Sequence, residues 1–170
     1  TGLTGCDDCT ASIPLGSFPF FGGTLASINA DTNGNLRTSA ASDFSNDCIG
    51  TGGANICPFW DDFNLAAAGA VHYQDMGDHT IVQWTGCAFF DDAAANMNFQ
   101  AKLFDNGDIE FHYGTLADSG SGLSSGVSAT VGIQTDDGSS GLEISCNTPS
   151  VTNANGCLLY TSDAADDVEC

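Results

Sequence analysis

The chain has 170 residues, 42% of them hydrophobic and 11 of them Phe, enough for one domain with a real core and no need of a second. Two basic residues, Arg37 and Lys102, stand against 22 acidic ones for a formal net charge of −20, which argues against nucleic acid and against anionic membrane surfaces, both bound through clustered Lys and Arg. No apolar stretch approaches the roughly 18 residues of a membrane span, so no membrane insertion is expected.

Taken in chain order, strand-like segments separated by Gly, Asn, Asp and Ser fall at about 11–20, 24–30, 34–39, 69–75, 79–86, 97–104, 108–114, 128–134, 141–146 and 156–161. That spacing predicts an all-β fold, an antiparallel β-sandwich of jelly-roll-like type. Val82 and Trp84 share one face of their segment, and Ala129, Val131 and Ile133 share one face of theirs. The run from 99 to 113 reads as a hairpin, with Phe99, Ala101 and Leu103 on one face of its first strand and Ile109, Phe111 and Tyr113 on one face of its second. Asn106-Gly107 between them predicts a two-residue type I′ turn, which needs positive φ at both central positions. Residues 43–57 and 117–126 read as loops, and 91–98 as the one helix candidate or a further loop. The domain is expected over residues 1–161, followed by an acidic tail at 162–170 that ends on Cys170. Because the acids are mostly Asp, a turn residue, the charge is expected on the rims and connections of the sheets.

Eight cysteines without metal-type His spacing point to disulfides and an oxidising compartment. Cys6, Cys9, Cys48, Cys57, Cys87, Cys146, Cys157 and Cys170 are all read as disulfide-bonded. Connectivity does not follow from sequence, but the short local pairs Cys48–Cys57 and Cys146–Cys157 are favoured. Cys6-Asp-Asp-Cys9 has redox-motif spacing, yet it runs into an extended Ile13-Pro14 segment rather than the helix that would lower a thiol pKa, so a structural disulfide is expected. Thr1 in place of Met fits removal of a signal peptide, and the protein is expected to be secreted, at the cell surface or in the extracellular space.

Other candidate chemistry is sparse. Gly122-Leu-Ser-Ser-Gly126 matches a hydrolase nucleophile elbow but lacks the strand-to-helix context that gives the serine its reactivity, so no enzyme is expected. His72, His79 and His112 show no close metal-ligand spacing, and His72 and His112 fall on polar strand faces. Asp31-Thr-Asn-Gly-Asn35 has oxygen side chains at alternate positions, as calcium loops do, but its Gly comes too early and Ser42 stands where a bidentate Glu belongs. It reads as a plain turn. Asp61 and Asp62 are the better calcium candidates, since adjacent carboxylates beside buried Trp60 are costly unless a cation or backbone donors satisfy them. Backbone capping is the favoured account, and no other cofactor is indicated. Asp91-Asp92 and Asp136-Asp137 read as solvated loops.

The blocks Phe18-Pro-Phe-Phe-Gly22, Pro58-Phe-Trp-Asp-Asp62 and Asn106-Gly-Asp-Ile109, in this order with Val71-His-Tyr-Gln74, Thr80-Ile-Val-Gln-Trp84 and Ala129-Thr-Val-Gly-Ile-Gln134, resemble the nidogen-like β-sandwich domain of secreted bacterial and animal extracellular proteins. The resemblance covers roughly residues 6–161 and implies an extracellular interaction or structural module with no catalytic residues to carry over. The leading expectation is a structural subunit that assembles with its own copies, as a homo-oligomer or polymer, into a filament or surface layer. Strand addition would use Thr10, Ala11, Ser12, Ile13 and Leu15, or Leu158, Leu159 and Tyr160, with disulfides locking the joint. The alternative is a monomeric adhesion or carbohydrate-binding module whose partners are other surface proteins or glycans.

Overall fold

The structure, a computed structural model, describes residues 2–53, 55–153, 156–160 and 168–169. Its strands are β1 (Gly2–Thr4), β2 (Thr10–Phe20), β3 (Gly23–Asp31), β4 (Leu36–Arg37), β5 (Ile56–Trp60), β6 (Ala70–Asp75) and β7 (His79–Cys87). These are followed by β8 (Asn96–Phe104), β9 (Asp108–Ala117), β10 (Thr130–Gln134), β11 (Gly141–Cys146), β12 (Gly156–Tyr160) and β13 (Val168–Glu169). One sheet has the order β1-β6-β7-β8-β9-β12-β13 and the other β11-β10-β5-β4-β3-β2, and every pairing is antiparallel. The sandwich expected from the sequence is therefore present. Segment 91–98 is not helical: Asp92 accepts the backbone N–H groups of Ala94 and Ala95 in a turn, and β8 begins directly after it.

Alternation along β7, β8 and β9 decides which face is wet. Val82, Trp84, Phe99, Ala101, Leu103, Ile109, Phe111 and Tyr113 are all buried, each large side chain contributing on the order of 2 kcal/mol. Ile13, Phe18, Ile28, Leu36, Ile56, Phe59, Val131 and Ile133 of the second sheet join them in one core cluster. Within it Trp84 stacks on Phe99 with ring centroids 5.1 Å apart, and Phe63 stacks on Phe89 at 4.6 Å. On the opposite, polar face His72, Gln83, Gln100 and His112 stand in one directly paired row across four strands.

The β8–β9 hairpin forms as expected, with a different turn. Only Gly107 of the Asn-Gly pair has positive φ, 98°, and its N–H donates to the Phe104 carbonyl at 2.8 Å. Residues 105–107 thus make a type I turn closed by a glycine in the left-handed region. Asn106 is held out of that region by its own side chain, which exchanges hydrogen bonds with Asp108 at 2.7 and 3.1 Å. A two-residue turn with positive φ at both positions occurs instead in the β2–β3 hairpin, where Phe21 (φ 46°) and Gly22 (φ 74°) join the paired residues Phe20 and Gly23.

Strand β5 is absent from the strands read by spacing and enters only through the Pro58-Phe-Trp block of the resemblance, because all of its residues are buried and no alternation marks it. A break in the β5–β10 register between Thr130 and Gly132 leaves Ile56 and Phe59 in the core cluster while Cys57 and Trp60 pack separately with Ile49. Residues 38–53 lie over that second, outer face as a strap: the Trp60 indole N–H donates to the Asp43 carbonyl at 2.9 Å, and the Thr130 hydroxyl donates to the Asp47 carbonyl at 2.9 Å.

Candidate functional site

Polar residues expected on the rims hold the strap from beneath. Asp31, fully buried, accepts hydrogen bonds from the Asn33 N–H (3.0 Å), the Ser42 hydroxyl (2.6 Å) and the Asp43 N–H (3.0 Å). Arg37 is also buried, with its guanidinium 3.5 Å from the Asp31 carboxylate and 3.7 Å from that of Asp43. Burial still raises the Asp31 pKa, outweighing these donors and Arg37. Residues 31–35 make the expected turn, but a buried one. Gly34 sits at φ 73°, and a Cβ there would lie 1.8 Å from the Phe59 carbonyl oxygen. At the other end of the strap Gln134 Oε1 accepts from the N–H groups of Gly50 and Gly52.

The cysteines pair differently from the local expectation. Cys6–Cys9 is a disulfide, as read, but Cys48 pairs with Cys146 rather than Cys57, across 98 residues and with Cα atoms 5.4 Å apart. Cys57 and Cys87 are free and buried, against the expectation that all eight are bonded. Cys57 is turned under the strap and Cys87 points into the core, so they occupy different layers and do not meet. Burial raises both thiols, Cys87 to about 12, which leaves them unreactive. The side chains of Cys157 and Cys170 lie outside the described residues.

Asp61 and Asp62 have different surroundings. Asp61 accepts from the Asp62 N–H at 2.9 Å and the Ser128 hydroxyl at 2.7 Å, so protein donors supply what the sequence reading required. Partial burial first, then the charges of Asp7, Asp8, Asp61 and Asp91, push the Asp62 carboxyl up to about 6. Calcium needs several of these oxygens to converge on one point. Among the described residues the one group of three His, Cys, Asp or Glu ligand atoms within 4.8 Å of one another is Cys48, Glu143 and Cys146. There both sulfurs are in the disulfide, and Glu143 accepts the Ile49 N–H at 3.0 Å.

The remaining candidates are structural in their contacts. Leu123–Ser125 is a 3₁₀ turn, and the side chain and N–H of Ser124 both bond Asp118, whose carboxyl they hold down to about 2, too acidic for a general base. Thr10, Ala11, Ser12, Ile13 and Leu15 lie in β2, an edge strand already paired with β3 and interrupted between Pro14 and Phe18. Leu158, Leu159 and Tyr160 lie in β12, which pairs with β9 on one side and β13 on the other.

One concavity combines apolar and polar walls. Phe20, Phe21 and Leu25 of the β2–β3 hairpin face Thr38, Asn55 and the β10–β11 turn across a groove of about 470 Å³. The rings of Phe20 and Phe21 meet edge to face at 4.8 Å. Opposite them, Asp136 Oδ1 accepts from the Thr38 hydroxyl and from Asn55 Nδ2, while Asn55 Oδ1 accepts the Thr38 N–H at 2.8 Å. The Ser139 N–H, with the Ser139 and Thr135 hydroxyls, holds the Asp137 carboxyl down to about 2. Reading Asp136-Asp137 as a solvated loop is right for exposure and misses the aromatic wall facing it. The available signal was Phe20-Phe21-Gly22-Gly23, a turn that places a bulky aromatic at its tip.

A family model described as NIDO related matches residues 1–167. No curated protein and no solved structure matches the chain. The match takes in the core blocks around Phe18, Phe59 and Phe111 and both sheets of the sandwich, and kinship with nidogen suggests an extracellular domain. The chain belongs to the NIDO-related family.

Proposed function

We propose that this chain is a secreted, non-catalytic recognition module that binds its ligand in the groove between the β2–β3 hairpin and the β10–β11 turn. The observation that carries this reading is the groove itself, where the half-buried Phe21 and Leu25 face the Asp136 and Asp137 carboxylates, with Asp137 held ionised by its donors. Thr38 and Asn55 hold Asp136, and Thr135 and Ser139 hold Asp137, before any ligand arrives, which limits the ordering cost of binding. The test is titration of the soluble chain onto an extracellular surface. Saturable binding that is lost when Thr24→Trp fills the groove mouth supports the reading, and binding unchanged by that variant overturns it.

Self-assembly is the second reading, favoured by one edge. Its sheet ends on β1, a three-residue strand paired with Ala70–His72 of β6, and a short edge strand of this kind is one to which a further strand can add. The β2 edge is less suitable, because Pro14 and Pro19 cannot donate to a new ladder and the pairing is already interrupted there. Electron microscopy and sedimentation of unreduced chain at high concentration decide it: filaments that a proline substitution within β1 abolishes support assembly, and a persistent monomer ends it.

A further inference from the structure

Resting on the recognition-module reading, we propose that the ligand of this groove is a neutral saccharide. The two walls ask for a ligand with an apolar face on one side and discrete hydroxyl donors on the other. Phe21 and Leu25, half-buried, offer a hydrophobic face on which the C–H side of a sugar ring can lie. Across the groove, Asp136 and Asp137 each take their protein hydrogen bonds on Oδ1, which leaves Oδ2 of each for one incoming donor.

That division discriminates between ligands. A guanidinium binds a carboxylate best through both oxygens at once, a fork that Asp136 and Asp137 cannot offer with Oδ1 engaged. Two single acceptors on neighbouring residues instead suit adjacent hydroxyls. The Thr38 and Thr135 hydroxyls beside them both donate and accept, as sugar hydroxyls do. Acidic saccharides are excluded by the ionised Asp137 and by a net charge of −20. Phe21 marks the wall as specialised: it holds φ 46° at a turn tip where Asn or Gly would be unstrained, and its ring packs on Phe20 beside the groove.

Calorimetric titration of the intact chain with neutral oligosaccharides (gluco-, manno-, galacto- and N-acetylglucosamine types), with uronate-containing oligosaccharides and with an oligolysine peptide tests the assignment. The expected result is saturable binding of one or more neutral sugars, no binding of uronates, and a loss of about tenfold or more in Asp136→Asn. Phe21→Gly is the second variant: it relieves the left-handed φ, so melting temperature is kept or raised while sugar affinity falls. Oligolysine binding that Asp136→Asn removes, without any sugar binding, overturns the saccharide assignment and leaves the recognition module standing. Sugar binding unaffected by either variant overturns the groove as the site, and with it both readings.

Discussion

Because Asp62 sits partly buried among Asp7, Asp8, Asp61 and Asp91, its carboxyl keeps a proton up to about pH 6, against 3.8 for the free side chain. Between those values the folded chain binds more protons than the unfolded chain, so stability falls as pH rises through about 6 and stays lower above it. Asp31 and Asp61, raised by burial, act in the same direction. Asp118 and Asp137 act oppositely: their stabilisation is lost as pH falls towards about 2. The melting temperature is therefore expected to be higher near pH 5 than near pH 7.5. Asp62→Asn should stabilise the chain at about pH 7.5 by on the order of 1 kcal/mol, after allowance for solvent screening, and should flatten the profile. Calorimetry across this range checks it, and a wild-type profile already flat between these values contradicts it. Cys57 and Cys87 supply a separate residue-scale test. Peptide mapping after alkylation should find both unlabelled in the native chain and both labelled in denaturant without reductant; labelling of the native chain refutes their burial.

The strap is the element whose role the sequence hides. β7, β8 and β9 were legible because one face is wet and the alternation survives in the residues. β5 was not, since the strap buries its second face and removes the pattern. The Cys48–Cys146 link was illegible for a related reason: its partners are 98 residues apart, and only the path of the strap over β10 and β11 brings them together. Asp31 and Asn33 had the composition of an exposed turn, and nothing local announces that the strap covers them. The groove draws on four separate stretches of sequence, so no single motif could reveal it. Two tests belong to this scale. Replacing both Cys48 and Cys146 by Ala should cost about 2–5 kcal/mol in denaturant unfolding. It should also red-shift emission from Trp60, whose indole is covered by the strap, while Trp84 stays in the core. Unchanged stability and emission would mean the strap does not need its disulfide. Gly34→Ala should cost about 3 kcal/mol or more, because the added Cβ meets the Phe59 backbone and the left-handed φ disfavours it.

At the scale of the whole molecule, 22 acidic residues are opposed by two cations that are already occupied, which leaves a net charge of −20. Arg37 is buried between Asp31 and Asp43, and Lys102 lies 3.5 Å from Glu110 on the neighbouring strand. Self-repulsion is greatest in the compact state, so the folded chain gains more from screening than the unfolded chain does. The Debye length shrinks from about 30 Å at 0.01 M salt to about 3 Å at 1 M. Melting temperature should thus rise by about 3–6 °C between roughly 0.01 M and 1 M NaCl, the equivalent of about 1–2 kcal/mol for a chain of this size. Repulsion between copies predicts monomers at the low-salt end, with any self-association confined to high salt. Calcium separates screening from site binding. At matched ionic strength, calcium and sodium chloride should give equal shifts if the acidic patch around Asp62 only repels. An additional rise with calcium, removed by Asp62→Asn, would instead mean that Asp7, Asp8, Asp61, Asp62 and Asp91 draw together around an ion, and would overturn the account of that patch as uncompensated like charge.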